Sequence, residues 1–122
     1  MKVLDTDIFI DFFQGNSSAV DFFTIHQQEI VFSAITEAEL LSGKECLQAE
    51  RKEKIFHFLA QFDKIPVDNP LVQIAADFRR NYKIELADAL IAASAYMVAA
   101  PLITRNLDDF KKIKEITVEK PY

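Results

Sequence analysis

The chain has 122 residues, with 14 Lys and Arg against 19 Asp and Glu and a formal net charge of −5. Half of the residues are hydrophobic and 27% are charged, which excludes a disordered polar tail and fits one compact domain. The longest weakly charged stretch, 90–103, is interrupted by Pro101 and is too short to cross a bilayer. The acidic N-terminal segment cannot form a signal-peptide core, and Cys46 is the only cysteine. We therefore expect a single domain over residues 1–122 that stays in the cytosol.

Short apolar runs alternate with longer periodic segments, which indicates a helix-rich domain with brief strands. We predict strands at residues 2–4, 29–33, 64–67, 102–104 and near 116–118. We predict helices over residues 8–13, from Ser17 or Ser18 to 26, from Thr36 to about 43, over 47–62, from the cap Asn69 to 82, and over 86–99. Because the strands are apolar and alternate with helices, the expected fold is a three-layer α/β domain with a short, mostly parallel sheet. In such sheets, ligands bind beyond the carboxyl ends of the strands.

Two acidic residues follow the first two predicted strands. Asp5 lies at the carboxyl end of the first strand, where a carboxylate also serves as a helix cap. Glu39 lies one turn into the helix after the second strand, which would direct it to the same edge of the sheet. Thr36 and Glu39 also have the spacing of a capping box, in which Glu39 would instead bind the Thr36 amide. Both interpretations remain open for each residue.

Asp88 is the only charge between residues 86 and 100. It begins a helical stripe with Ala92, Ala95 and Ala99, whose small side chains let another backbone approach closely. A charge on such an inward face needs a partner or a metal ion. The alternative is a first-turn aspartate that is stabilised only by the helix dipole.

A fourth polar group, Thr104, Asn106 and Asp109, follows the predicted strand at 102–104. Carboxylates gathered at about 4 Å repel by roughly 4 kcal/mol at an effective dielectric near 20, and a divalent cation removes that repulsion. The chain has no Cys/His spacing for zinc and no Gly-rich phosphate loop. Oxygen ligands therefore favour Mg²⁺ or Mn²⁺.

Four segments in this order resemble the PIN-domain nucleases, and they are most similar to the VapC-type toxins of toxin–antitoxin pairs. The segments are 3–11, 33–43, 86–95 and 102–110. The resemblance implies that Asp5, Glu39 and Asp88 match the three principal acidic positions of the family and that Thr104 supports them. This chain has Asn106 where the family often has an aspartate, and Asp109 is the residue that could supply the missing charge.

The resemblance also implies an activity. We expect Mg²⁺- or Mn²⁺-dependent hydrolysis of RNA phosphodiesters that leaves 5′-phosphate and 3′-hydroxyl ends. Asp5 and Asp88 would bind the metal, Glu39 would bind it or orient its water, and Asn106 and Asp109 would serve a second metal position. The expected partners are an RNA substrate, a cognate antitoxin and a second copy of the chain in a homodimer.

Two other functions compete with this hypothesis. The first is a catalytically degenerate binding module of the same fold, suggested by Asn106. The second is a phosphatase of the haloacid dehalogenase type, suggested by Asp5 and Asp7, which fits poorly because Phe9 stands where that signature has Thr or Val. Among the cations, Lys44 and Arg105 are the expected RNA contacts.

Two further expectations concern groups outside the acidic positions. Asp11, one turn beyond Asp7 on the first helix, is expected to be ordinary helix surface. Most of the phenylalanines are expected to form the core, and some of them could line a groove for an antitoxin helix.

Overall fold

The computed structural model describes all residues, 1–122, and contains one five-stranded sheet in which every strand pair is parallel. The strands are β1 (Lys2–Leu4), β2 (Ile30–Ser33), β3 (Asp63–Ile65), β4 (Leu102–Ile103) and β5 (Val118–Glu119). The helices are α1 (Thr6–Phe13), α2 (Ser17–His26), α3 (Ala34–Leu41), α4 (Ala49–Leu59), α5 (Asn69–Tyr82), α6 (Leu86–Met97) and α7 (Leu107–Phe110). The predicted α/β fold is confirmed, with a sheet that is wholly rather than mostly parallel.

The order of the strands places β1 and β4, which are distant in the sequence, side by side near the middle of the sheet. The order is β3-β2-β1-β4-β5, so the chain adds β2 and β3 on one side of β1 and later returns to the other side for β4 and β5. Where the order reverses, the connections leave in opposite directions and open a crevice beyond the strand ends. Asp5 follows β1 and Thr104 follows β4 at this crevice.

Helices cover both faces of the sheet. Successive residues of a strand point to opposite faces, so Val3 of β1 joins a cluster with Leu71 of α5 and Ile91 of α6. The next residue, Leu4, joins a second cluster with residues of α1, α2 and α4. These two cores and the sheet between them form the three predicted layers.

Phenylalanines fill the second core, as predicted. Phe9 is fully buried, and four other rings surround it with centroids 5.2–6.4 Å away, namely those of Phe23, Phe32, Phe58 and Phe62. Edge-to-face pairs of this kind stabilise a fold beyond the area that they bury. The cluster fixes α1, and with it the residues at the N-terminus of α1, against the sheet.

The predicted caps were wrong for α2 and α5. Asn16, not Ser17 or Ser18, caps α2 by accepting a hydrogen bond from a backbone amide. Asp68, not Asn69, caps α5 in the same way. In both places a neighbouring polar residue also suited the position, and only the path of the backbone decides which side chain reaches the free amides.

Several predicted boundaries also differ. The predicted helix 47–62 is shortened to α4, because residues 44–47 form one turn of 3-10 helix. The helix predicted to begin at Thr36 begins at Ala34 and is capped by Ser33. α1 begins two residues before the predicted start, α7 was not predicted, and β3 and β5 are shifted by one or two residues. None of the helices is long and apolar enough to span a membrane.

Candidate active site

Asp5 is both a helix cap and a residue of the crevice. Its backbone amide donates to the carbonyl of Ile103 at 2.9 Å, which ties it to the end of β4. Its Oδ1 accepts from the Thr6 amide at 2.8 Å, and its Oδ2 accepts from the Thr104 hydroxyl at 2.7 Å. The capping interpretation of Asp5 is therefore confirmed for one oxygen, and the other oxygen faces Thr104 after β4.

Glu39 joins the same edge through a hydroxyl relay. Its Oε1 accepts from Thr6 Oγ1 at 2.6 Å, and Thr6 Oγ1 lies 3.0 Å from Thr36 Oγ1. Because Thr6 has one hydroxyl proton and gives it to the carboxylate, Thr36 must donate to Thr6. The capping box between Thr36 and Glu39, the alternative that the sequence left open, is not formed, since α3 begins before Thr36. Sequence reasoning missed Thr6, although it lies between the two aspartates that follow β1.

Asp88 lies in the first turn of α6 and faces the other carboxylates. Burial, and then the charges of Asp5, Glu39, Asp109 and Glu85, raise the pKa of Asp88 from 3.8 to about 6. Three acidic residues from distant segments, together with Glu85 at the start of the same helix, therefore act on one half-buried side chain.

The small-residue stripe beneath Asp88 is shorter than predicted. Ala92 and Ala95 are buried as expected. The last predicted member, Ala99, lies beyond the end of α6 with a φ of 53°.

The segment between β4 and α7 contributes a fully buried hydroxyl and an amide. Thr104, which donates to Asp5, also accepts from the Asn106 amide at 2.9 Å. The Asn106 side-chain amide donates from Nδ2 to Asp109 Oδ2 at 2.9 Å. A carboxylate only accepts hydrogen bonds, so the NH₂ group of Asn106 faces Asp109 and its Oδ1 remains free to bind a cation.

The electrostatics of Asp5 show crowding of negative charge. Burial and the Asp7 charge raise the pKa of Asp5 to about 6, and the hydrogen bonds from Thr104 and Thr6 lower it. Burial also raises the pKa of Asp7, whose Oδ1 is buried without a hydrogen-bond partner. Sequence reasoning noted Asp7 but gave it no role in the site.

Asp11 is not the helix surface that the sequence suggested. It is 9% exposed and forms an ion pair with Arg105, in which Nε lies 2.7 Å from Asp11 Oδ2. Arg105 was expected to contact RNA, but Asp7 and Asp11 already offset its charge. The other expected contact, Lys44, is exposed.

The structure thus brings together every residue that the sequence proposed for the site. They are Asp5, Glu39, Asp88, Thr104, Asn106 and Asp109. No three His, Cys, Asp or Glu side chains are close enough to hold one ion by themselves. The arrangement is an open acidic crevice at the reversal point of a parallel sheet.

Comparison with known proteins identifies the class to which this parallel α/β domain with an acidic crevice belongs. The family model described as PIN domain matches residues 2–116. The chain belongs to the PIN domain family, whose members are nucleases. No curated protein sequence matches the chain significantly.

Solved structures agree with this assignment. A chain of a toxin–antitoxin complex from Klebsiella pneumoniae is 30% identical with a TM-score of 0.87, over 100% of this chain and 98% of the other. A chain of FitAcB from Neisseria gonorrhoeae is 28% identical with a TM-score of 0.82, over 99% and 98% of the two chains. A chain of DNA-bound VapBC from Salmonella typhimurium, 22% identical with a TM-score of 0.85 over 99% and 98%, shares the fold. The resemblance to VapC-type toxins is therefore confirmed.

Proposed function

We propose that this chain is a metal-dependent endoribonuclease and the toxin of a toxin–antitoxin pair. Asp5, Glu39 and Asp88 are its principal acidic residues, with Thr104, Asn106 and Asp109 in support. The observation that carries the proposal is the convergence on Asp88 of carboxylates from separate segments, whose charges add to the effect of burial and raise its pKa to about 6. Mutual repulsion of this kind opposes folding unless a cation offsets it.

The donor set fits Mg²⁺ or Mn²⁺. The crevice offers carboxylate oxygens and the free Oδ1 of Asn106, and hard cations prefer such ligands. Mg²⁺ commonly binds one or two carboxylates together with water and substrate phosphate. Asp5 and Asp88 would therefore suffice as the protein ligands, even though no three side chains are close enough to enclose an ion.

Each residue has a role that its contacts suggest. Thr104 holds the Oδ2 of Asp5, and Thr6 holds the Oε1 of Glu39, so both carboxylates have defined orientations. With a pKa of about 6, Asp5 and Asp88 are mostly ionised at neutral pH and ready to bind a cation. When bound, the ion would supply activation of a water for attack on phosphorus and stabilisation of charge on the leaving oxygen.

A cognate antitoxin is the proposed protein partner, because the similar structures include toxin–antitoxin complexes. A cavity of about 710 Å³ lies between α1, α3 and α4, and its apolar lining is Ile10, Phe13, Leu40 and Ile55. It shares no lining residue with the acidic crevice. Ile10 and Phe13 are exposed in this cavity, and the other six of its ten lining residues are polar or charged, so it would suit a partner segment that offers both apolar and polar side chains. A homodimer is also part of the proposal, and light scattering after size-exclusion chromatography tests it.

The decisive experiment compares the unchanged chain with Asp88→Asn and with Asp108→Asn. Asp108 is an exposed aspartate next to Asp109, so its substitution is a matched loss of charge. End-labelled RNA and DNA of the same sequence are incubated with Mg²⁺, with Mn²⁺ or with a chelator. We expect RNA cleavage only with metal, 5′-phosphate products, a loss of at least about 100-fold in Asp88→Asn, and full activity in Asp108→Asn.

Three results would contradict the proposal in different ways. Retained cleavage by rigorously purified Asp88→Asn would remove that residue from the mechanism. Cleavage of DNA in preference to RNA would overturn the substrate. A folded chain that binds RNA or antitoxin but cleaves nothing with either metal would favour the degenerate binding module instead.

A further inference from the structure

The side chain of Arg105 is bound to Asp11 of α1. Its Nε lies 2.7 Å from Asp11 Oδ2, and its Nη2 donates to Asp11 Oδ1 at 3.1 Å. This two-point geometry fixes a guanidinium more firmly than a single contact does. The hydroxyl of Tyr122 also donates to Asp11 Oδ2. We call Arg105, Asp11 and Tyr122 the Arg105 anchor.

The backbone of the same segment is fixed as well. The Arg105 amide donates to Asp7 Oδ2 at 3.2 Å. On one side of it Thr104 donates to Asp5, and on the other the Asn106 amide donates to Thr104. Thr104 and Asn106, which support the proposed site, therefore lie on either side of Arg105 in the sequence. The Arg105 side chain is the one attached to the second turn of α1.

These contacts have no use in the chemistry proposed above, yet Asp11 is almost buried, with a side chain only 12% exposed. A buried carboxylate is costly unless both of its oxygens have partners, and here both have. A carboxylate in an ion pair at the protein surface would not need a protein partner for each of its oxygens. The arrangement is suited to holding a loop in one conformation.

We propose that Asp11 and Tyr122 are positioning residues that act through Arg105 to hold Thr104 and Asn106 against Asp5. This inference rests on the proposed function, because the property it concerns is the affinity of the crevice for a divalent cation. Residues that orient metal ligands typically change metal affinity or activity by about 10- to 100-fold when they are altered. Arg105 thus contributes to the site by its attachment to α1 and not by contact with RNA phosphates.

The competing role of Arg105 makes the opposite prediction for one variant. If Arg105 bound RNA and Asp11 merely restrained it, Asp11→Asn would free a cation and lower the KM for RNA. If the anchor positions the loop, Asp11→Asn weakens Mn²⁺ binding and lowers kcat while KM changes little. The split between kcat and KM therefore separates the two roles.

The experiment measures Mn²⁺ affinity by calorimetry in the absence of RNA, and then kcat and KM with RNA. The variants are Asp11→Asn, Tyr122→Phe, Arg105→Gln and Arg105→Lys, together with the double variant Asp11→Asn/Arg105→Gln. The control is Asp77→Asn, which breaks the exposed pair between Asp77 and Arg80 on α5. We expect Asp11→Asn and Arg105→Gln each to weaken Mn²⁺ binding by about 10-fold, and the double variant to be no worse than either.

The smaller changes keep the test informative if Asp11→Asn does not fold. Tyr122→Phe removes one hydroxyl and should weaken Mn²⁺ binding a few-fold. Arg105→Lys should restore part of the loss seen in Arg105→Gln, because it keeps the charge but not the fork of donors. The control Asp77→Asn should match the unchanged chain in every measurement.

The outcomes are distinguishable from a failure of the proposed function. If the unchanged chain binds Mn²⁺ but the folded anchor variants bind it equally well, the anchor inference is overturned and the nuclease proposal stands. If the unchanged chain neither binds Mn²⁺ nor cleaves RNA, the proposed function fails and the inference is overturned with it. Independent, additive losses in the double variant would also overturn the inference.

Discussion

Removing the charge of Asp88 should stabilise the metal-free protein. Burial and four neighbouring carboxylates raise its pKa from 3.8 to about 6, which at about 1.36 kcal/mol per unit corresponds to about 3 kcal/mol for a fully desolvated group. Asp88 is only half-buried, so solvent screening reduces this to roughly 1–1.5 kcal/mol. The helix dipole stabilises the charged form of Asp88 in the first turn of α6 by about 0.3–1 kcal/mol. This stabilisation is lost in Asp88→Asn.

The expected net gain of Asp88→Asn at pH 7 is therefore about 0.6 kcal/mol at the midpoints of these two ranges, or a rise in Tm of roughly 2–4 °C. The gain depends on pH in a defined direction. Because the folded pKa lies above 3.8, the folded chain binds more protons than the unfolded chain between about pH 4 and pH 6. The free energy of unfolding of the unchanged protein therefore falls as the pH rises through this window. In Asp88→Asn the part of this fall that is due to Asp88 is absent.

The assay is thermal unfolding of the two proteins at pH 4 and pH 7 in chelator, with Asp108→Asn as control. The difference in Tm should be present at pH 7 and absent at pH 4. Adding Mn²⁺ at pH 7 should raise the Tm of the unchanged chain by mass action and reverse the order. An unchanged or lower Tm for Asp88→Asn at pH 7, or an equal rise at both pH values, would show that Asp88 is not crowded by negative charge.

Three further changes test other parts of the structure. Asn106→Asp places a carboxylate beside Asp109 in place of a hydrogen-bond donor, so it should lower the Tm in chelator. It should also tighten Mn²⁺ binding measured by calorimetry. Unchanged or weaker Mn²⁺ affinity would show that Asp109 already supplies the charge that Asn106 lacks. Asp68→Ala should lower the free energy of unfolding in urea by about 1 kcal/mol, whereas Asn69→Ala should change it little. A larger loss in Asn69→Ala than in Asp68→Ala would show that Asn69 caps α5. Phe9→Ala should cost about 3–5 kcal/mol, and a cost below about 1 kcal/mol would mean that the aromatic core repacks freely.

The fold was largely predictable because its strands are short apolar runs and its long helices carry clear periodicity. β1, α5 and α6 were expected close to their observed positions, and the alternation of strands and helices indicated the parallel sheet. What the sequence could not give was the choice among neighbouring polar caps, since Asp68 and Asn69 both suit the position chemically. α7 was missed because a helix of four residues carries too few positions for a periodic signal.

The proximity of the candidate site residues was predictable from the sequence, but the hydrogen bonds between them were not. Asp5 and Glu39 could be selected because strand ends share one edge of a parallel sheet, and Asp88 because it is the only charge between residues 86 and 100. The hydroxyl relay through Thr6 and the ion pair of the buried Asp11 with Arg105 could not, because both depend on which side of α1 faces β4. Helical spacing alone gives the relative direction of two side chains, but it does not say which direction is inward.

The hydrogen bond between Asp5 and Thr104 joins residues 99 positions apart, and this spacing has a consequence for synthesis on the ribosome. Until β4 leaves the exit tunnel, β1 has only β2 as a neighbour, and the edge that will receive Thr104 is open. The crevice is therefore among the last features to be assembled as the chain emerges. A nascent chain that stops before β4 would therefore lack Thr104 and the side of the crevice that β4 forms.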